Sequence, residues 1–111
     1  MRPGHKLHAA AEFERARRAR DRLTDAMFVI QYAANETSSA RLGMAVSTRA
    51  AGQSVNRNRL RRLIRESFRM HREELPAVDL LETARAGSAK ATNAEIFDSL
   101  AKAWRAIGAA R

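Results

Sequence analysis

Apolar and polar positions repeat with two different periods along this chain, which predicts a mixture of strands and helices. Residues 27–33 are rich in aromatic and β-branched side chains, as is typical of a strand. Residues 41–47 alternate between apolar side chains and small or polar ones, so we expect a half-buried strand. The polar cluster at 35–39 predicts a turn that joins these two strands as an antiparallel hairpin. Residues 79–84 form a third, shorter strand candidate.

A long amphipathic helix is predicted from Ser54 through about Glu74, with Ser54 or Asn56 as its N-cap. At 100° per residue, five side chains fall on one buried stripe. These are Leu60, Leu63, Ile64, Ser67 and Phe68. Pro76 marks the stop that follows the helix. The arginines of this segment fall outside the stripe or, in the case of Arg57, at its edge.

Two further helices are predicted towards the ends of the chain. Residues 9–19 are strong helix formers. Residues 92–107 place apolar side chains at helical spacing, and Thr92 and Glu95 fit a capping box. The core face of this last helix comprises Ile96, Phe97, Leu100, Trp104 and Ile107. The order of elements predicts a single α/β domain over residues 1–111, an α+β sandwich in which helices cover one sheet.

Charge is the most unusual property of this sequence. The 111 residues carry a formal net charge of +9, and residues 41–72 hold nine arginines against a single acid, Glu66. A surface optimised only for solubility mixes the two signs. Concentrated positive charge favours a polyanionic partner, namely nucleic acid, an anionic membrane or an acidic protein.

The predicted middle helix repeats arginine at four-residue steps, at Arg57, Arg61, Arg65 and Arg69. Like charges at this spacing repel one another, so folding alone gives no reason for the row. A polyanion along this face relieves the repulsion and releases counterions. One alternative is a merely solvated charged face. An interfacial membrane helix is disfavoured, because the core needs the apolar side of the helix.

Other chemistries find little support in the sequence. There is no cysteine, so disulfides and thiol catalysis are excluded. No apolar run approaches the roughly 20 residues of a membrane span, and no secretory signal is evident. His5 and His8 lie in a basic N-terminal segment, and His71 is distant from them in sequence. We predict no catalytic residue and no metal site in the protein itself, since no known catalytic motif is present.

Two segments together resemble the bacterial ribonuclease P protein component. A strand of the form R-x-G-x-x-V-S is found at residues 41–47. It is followed by Gly52 and by a helix that contains the R-N-R sequence Arg57-Asn58-Arg59. The resemblance spans roughly residues 6–107, and residues 1–6 are expected to be flexible.

The resemblance implies a fold and an activity. The expected order is αβββαβα, with a mainly antiparallel sheet of about four strands, a missing strand around Arg20–Ala26, and a left-handed βαβ crossover. The implied activity is removal of the 5′ leader from precursor tRNA, in which the RNA subunit performs the hydrolysis with bound Mg²⁺. The protein is then a cytoplasmic monomer within a ribonucleoprotein, without membrane contact, and its partners are ribonuclease P RNA and precursor tRNA. A plain RNA-binding module, such as a ribosomal protein, is the alternative.

The resemblance also implies two sets of binding residues. The set expected to contact the RNA subunit is Arg57, Asn58, Arg59, Arg61, Arg62 and Arg65. The set expected to contact the single-stranded leader is Phe13, Arg17, Tyr32, Ser47, Arg49 and Arg85. Phe13 and Tyr32 are the stacking candidates, because bases stack on aromatic rings with little sequence preference. Departures from the family pattern include a loop after Ser47 that is one residue longer, Arg17 in place of a second aromatic, and Gln31 before Tyr32 where the strand aromatic is expected.

Overall fold

Four strands form a single sheet in the computed structural model, which describes residues 14, 17–35 and 37–109. The strands are β1 Asp21–Thr24, β2 Phe28–Ala34, β3 Arg41–Ala45 and β4 Val78–Ala84. Their order across the sheet is β1-β2-β4-β3. β2 pairs antiparallel with β1 and β4, whereas β3 pairs parallel with β4. The mainly antiparallel four-stranded sheet is therefore confirmed, and β1 occupies the position expected for the missing strand.

The predicted hairpin between the second and third strands is wrong, because β4 lies between them. Six of the seven residues of β4 are buried, as expected for a central strand. Parallel strands such as β3 and β4 need a long crossover connection, and here it contains the long helix. The handedness of this crossover stays a prediction of the resemblance.

The described residues contain three α-helices: α1 Thr48–Ala51, α2 Ser54–His71 and α3 Asn93–Ala109. A short 3₁₀ turn, Arg72–Glu74, follows α2, and another, Ala86–Ser88, follows β4. Gly52 separates α1 from α2 with a φ of 84°, a left-handed conformation that favours glycine.

The two long helices begin differently. The N-cap of α2 is Gln53, which makes no side-chain capping bond, so the prediction of Ser54 or Asn56 as the cap is wrong. The capping box of α3 is confirmed. Thr92 Oγ1 accepts from the Glu95 amide at 3.1 Å, and Glu95 Oε1 accepts from the Thr92 amide at 2.8 Å.

The core lies between one face of the sheet and the apolar faces of α2 and α3. The buried residues of α2 are the five that the helical period selects. Trp104 is fully buried, and its indole Nε1 donates to Ser67 Oγ at 2.9 Å. Its ring packs edge-on against Phe68, with centroids 6.0 Å apart. The hydrogen bond explains why the apolar stripe accommodates a serine.

The opposite face of the sheet carries a buried ion pair. Asp79 is fully buried and accepts hydrogen bonds from Arg41 Nε at 2.8 Å and Nη2 at 2.9 Å. The Asn35 side-chain amide donates to the same carboxylate at 2.9 Å. These bonds join the edge strand β3 to the central strand β4, so the charge of Asp79 is compensated where the sheet is buried.

The predicted first helix lies largely outside the described residues. Glu14 and Arg17 are helical, and the Arg18 amide donates to the Glu14 carbonyl at 3.0 Å. Residues 1–6 also lie outside the described part of the chain. Within that part, no helix is both long and apolar enough to cross a membrane.

Candidate nucleic-acid interface

The arginines of α2 form a cationic surface opposite its buried stripe, defined here as the α2 cationic face. Arg62, Arg65 and Arg69 are exposed, and Arg57 and Arg61 are half-buried. Within the described ranges, no carboxylate lies in ion-pairing distance of any of these five guanidinium groups. The positive charge of this face is therefore not neutralised by the described protein.

Local electrostatics on α2 add to the positive character of its N-terminal end. The first turn contains no acidic residue, although acids are favoured there by the helix dipole.

Further along α2, Glu66 lies beside Arg62, Arg65 and Arg69 around a concavity, without pairing with any of them. One acid against three cations leaves this concavity with a net positive charge, as an anion requires.

The three residues of the R-N-R sequence have different environments. Asn58 is exposed, and Arg57 lies at the edge of the buried stripe with its Nε shielded from solvent. Arg59 points back into the protein: its Nε donates to Asn56 Oδ1 at 2.9 Å, and its Nη1 donates to Asn93 Oδ1 at 2.6 Å. The sequence alone placed Arg59 with the outward-facing cations, and helical periodicity carries no signal that separates it from them.

Three of the residues predicted to contact the leader follow the carboxyl ends of β3 and β4. These strands are parallel neighbours, so Ser47, Arg49 and Arg85 share one edge of the sheet. Ser47 Oγ accepts from the Ala50 amide at 3.1 Å and so caps α1, on which Arg49 is exposed. The structure thus brings together one hydroxyl and two cationic side chains at this edge.

Arg85 is held at this edge by the β1–β2 turn. Its Nη1 donates to the Asp25 carbonyl at 2.6 Å, and its amide donates to the Met27 carbonyl at 2.8 Å. Partial burial opposes ionisation of the Asp25 carboxyl. Hydrogen bonds from Ser99, Phe28 and Met27, with the charge of Arg85, outweigh this effect and lower the pKa of Asp25. The turn therefore keeps a carboxylate beside Arg85.

A hydrogen bond between Arg17 and Gln31 connects the segment before β1 to the sheet. The Gln31 side-chain amide donates to the Arg17 carbonyl at 2.6 Å, while the Arg17 side chain is exposed and pairs with Glu14 at 3.4 Å. Gln31 shares its face of the sheet with Gly43, since both residues pair with Leu81. The small side chains of β3 therefore lie on the same face as Gln31, which binds the Arg17 carbonyl.

Tyr32 lies on the opposite face from Gln31, in the core. It pairs with Leu80, and only 9% of its surface is exposed. This burial is at odds with the stacking role predicted for Tyr32, which requires an accessible ring face. Successive strand residues point to opposite faces of the sheet. Because Gln31 points away from the core, the next residue, Tyr32, points into it. Phe13, the other stacking candidate, lies outside the described residues.

Potential metal ligands are not clustered in the described ranges. No group of three or more His, Cys, Asp or Glu side chains is placed to hold a metal ion there. The ring of His71 is engaged through Nδ1 with the Ser67 carbonyl at 2.9 Å. The fold and the α2 cationic face together define a small basic α+β protein whose surface is suited to a polyanion.

Comparisons with known proteins identify a family for this chain. The family described as Ribonuclease P matches residues 1–108. The ribonuclease P protein component of Coxiella burnetii is 36% identical over 99 residues, which cover 89% of this chain and 82% of that protein. The Thioalkalivibrio sulfidiphilus component is 41% identical over 83 residues, covering 75% and 69% of the two chains.

Solved structures agree with this assignment. The RNase P protein of Staphylococcus aureus superposes with a TM-score of 0.82 at 30% identity, covering 88% of this chain and 90% of that one. The Thermotoga maritima protein, at 22% identity, shares the fold with a TM-score of 0.80 over 92% of this chain and 96% of its own. This chain belongs to the ribonuclease P protein family. It is therefore part of a ribonuclease and has an RNA partner in a ribonucleoprotein.

Proposed function

We propose that this protein binds the RNA subunit of ribonuclease P through its α2 cationic face and assists removal of the 5′ leader from precursor tRNA. The observation that carries the proposal is the row of unpaired arginines on α2. The outward side chains proposed to contact RNA are Arg57, Asn58, Arg61, Arg62 and Arg65. Each phosphate they neutralise releases counterions, which makes binding strongly dependent on salt.

We further propose that the leader passes the sheet edge formed by Ser47, Arg49 and Arg85 and continues towards Arg17. Support for this path comes from two exposed cations, Arg49 and Arg85, which follow the carboxyl ends of the parallel strands β3 and β4. Phe13 stays the proposed stacking residue. The buried Tyr32 is not included.

The chemistry of hydrolysis is proposed to reside in the RNA subunit with bound Mg²⁺. This part of the proposal rests on the resemblance to the bacterial ribonuclease P protein component. The protein then contributes binding and orientation, as a cytoplasmic monomer within the ribonucleoprotein.

Reconstitution tests the proposed function directly. The protein is mixed with a bacterial ribonuclease P RNA at low Mg²⁺, and cleavage of a precursor tRNA is measured. We expect faster cleavage than with RNA alone, because the α2 cationic face offsets repulsion between the two RNAs. Binding without any gain in cleavage supports the alternative of a plain RNA-binding module.

Salt dependence tests which side chains meet phosphate. Arg61→Ala is expected to lower the slope of log affinity against log salt by about 0.7–0.9, the contribution of one phosphate contact. Arg105→Ala, which removes an exposed arginine from α3, is the matched control and leaves the slope unchanged. Equal slopes for both variants and the native protein contradict the proposed interface.

The leader contact has its own test. Arg49→Ala is expected to weaken binding of precursor tRNA by about fivefold and to leave binding of mature tRNA unaltered, since only the precursor carries a leader. A loss that is equal for both substrates contradicts the proposed position of the leader.

A further inference from the structure

Arg59 differs from the other arginines of α2 because protein acceptors already occupy its guanidinium group. In addition to its bonds with the Asn56 and Asn93 side chains, its Nη2 donates to the Ala91 carbonyl at 3.2 Å. Three of the five N–H donors of an arginine are thus directed into the protein. The remaining two offer less to an external phosphate than a free guanidinium does.

Asn56 extends this network to the segment before α2. Its side-chain amide donates to the Ala51 carbonyl at 2.6 Å and to the Ala89 carbonyl at 3.2 Å, while its Oδ1 accepts from Arg59. Asn56 and Arg59 therefore connect the end of α1, the first turns of α2, and the segment Ala89–Asn93 that leads into α3. We refer to this set of bonds as the α2 clasp.

The clasp acts at the N-terminal end of α2. Gln53 provides no side-chain cap, the first turn holds no acid, and Val55 is 80% exposed. The first amides of a helix have no partner within the helix, so an uncapped end is prone to fray. Arg57 and Asn58 lie in this end, and their directions are defined only while it is ordered.

We propose that Arg59 is a positioning residue. Through Asn93 and Asn56 it fixes the first turns of α2 and so preorganises Arg57, Asn58 and Arg61 for phosphate, without itself contacting the RNA. This inference rests on the proposed function, because it assigns different roles to two arginines of the same RNA-binding helix.

Two substitutions that conserve charge test the inference. Arg59→Lys keeps the positive charge but replaces the planar fork with a single ammonium group, which cannot serve all three acceptors. Asn93→Ala removes one acceptor of the clasp and no charge. We expect each to weaken binding of ribonuclease P RNA by about fivefold, the equivalent of one lost hydrogen bond. The salt slope is expected to stay at the native value, and the double variant to bind about as weakly as either single one.

Arg105→Lys makes the same replacement at an exposed arginine of α3, outside the α2 cationic face, and is the matched control; it is expected to bind within about twofold of the native protein. If Arg59→Lys also binds like the native protein while Arg59→Ala lowers the salt slope, Arg59 contacts phosphate directly and the inference is wrong. If the clasp variants lower only the stability and leave the affinity of the folded protein unaltered, the role is merely structural and the inference is also wrong.

Hydrogen exchange of the free protein separates this inference from the proposed function. We expect Asn93→Ala to accelerate exchange of the Arg57 amide, which donates to the Gln53 carbonyl at 3.0 Å, and to leave α3 beyond its first turn protected. Unaltered exchange refutes the clasp whatever the RNA result. Faster exchange in a protein that fails to bind ribonuclease P RNA confirms the clasp and overturns the proposed function.

Discussion

A carboxylic acid in the core supplies the sharpest test of the physical account. Glu82 lies in the central strand β4 and is fully buried, and its neighbours across the strands are Ile30 and Met44. Neither of its carboxyl oxygens has a hydrogen-bond partner in the described structure. Burial, with a smaller contribution from the charge of Asp25, raises the pKa of Glu82 well above its usual value. Glu82 is therefore neutral in the folded protein at pH values where it is ionised in the unfolded chain.

This difference gives the stability a definite dependence on pH. Above about pH 4.5 the unfolded chain loses a proton that folded Glu82 retains, so the free energy of unfolding falls by about 1.4 kcal/mol per pH unit. The decline continues until the pH passes the folded pKa. Even when it is protonated, the unpaired carboxyl group costs about 1–3 kcal/mol relative to an apolar side chain of similar size.

Two substitutions at this position separate the two effects. Glu82→Gln removes the titration but keeps an unpaired polar group, so its advantage over the native protein grows as the pH rises above about 5, until the pH passes the folded pKa of Glu82. Glu82→Leu removes both effects and is expected to raise the Tm by about 4–12 °C further, as follows from a gain of 1–3 kcal/mol. Glu73→Gln, at an exposed position, is the control and follows the native pH profile.

Urea unfolding at several pH values between 5 and 8 provides the measurement. A Glu82→Gln variant that loses stability with pH in parallel with the native protein refutes the reasoning, because the titrating group must then lie elsewhere. Lower stability of Glu82→Leu than of the native protein equally contradicts it, since that result means that the carboxyl group has a favourable partner.

Three further substitutions test the packing. Asp79→Asn breaks the buried pair with Arg41 and is expected to lower the free energy of unfolding by about 3 kcal/mol in urea titrations, whereas an effect below 1 kcal/mol means the pair is dispensable. Gly87→Ala directs a methyl group at the Ala26 carbonyl and is expected to cost about 1–3 kcal/mol; an unaltered Tm shows that the turn moves aside. Trp104→Phe leaves the Ser67 hydroxyl without its donor and is expected to cost about 1–3 kcal/mol by calorimetry, which a native-like Tm contradicts.

Local periodicity predicted the helices better than it predicted the sheet. The buried stripe of α2 follows from the 3.6-residue repeat, and the capping box of α3 follows from two residues three positions apart. Strand neighbours are not encoded in this way. The central position of β4 was obscured by Asp79 and Glu82, two acids that the sequence gives no reason to bury. Only the structure shows that Arg41, 38 residues earlier, compensates the first and that the second is buried without a partner, where burial raises its pKa.

The same limit applies to the α2 cationic face. Periodicity separates the arginines of α2 from its buried stripe, but it cannot show which guanidinium finds acceptors in a segment more than thirty residues away, as Arg59 does at Asn93. Alternate residues of β2 point to opposite faces, so only one of Gln31 and Tyr32 can face the core. The register of β2 with β4 shows which one does. Sequence therefore predicted the cationic face, whereas tertiary contacts distinguish the environments of individual residues within it.

Repulsion within the arginine row is small compared with the stabilisation that α2 gains from its buried stripe. Three like-charged pairs at four-residue spacing, from Arg57 to Arg69, cost about 0.2–0.5 kcal/mol each, or roughly 1 kcal/mol in total. Burial of each large apolar side chain in the stripe contributes about 1.5–3 kcal/mol, so four of them outweigh the repulsion several times over. The fold therefore tolerates the row without any anion. The charges of the row therefore serve no stabilising purpose in the free protein. In the proposed complex, neutralisation by RNA phosphates returns the roughly 1 kcal/mol.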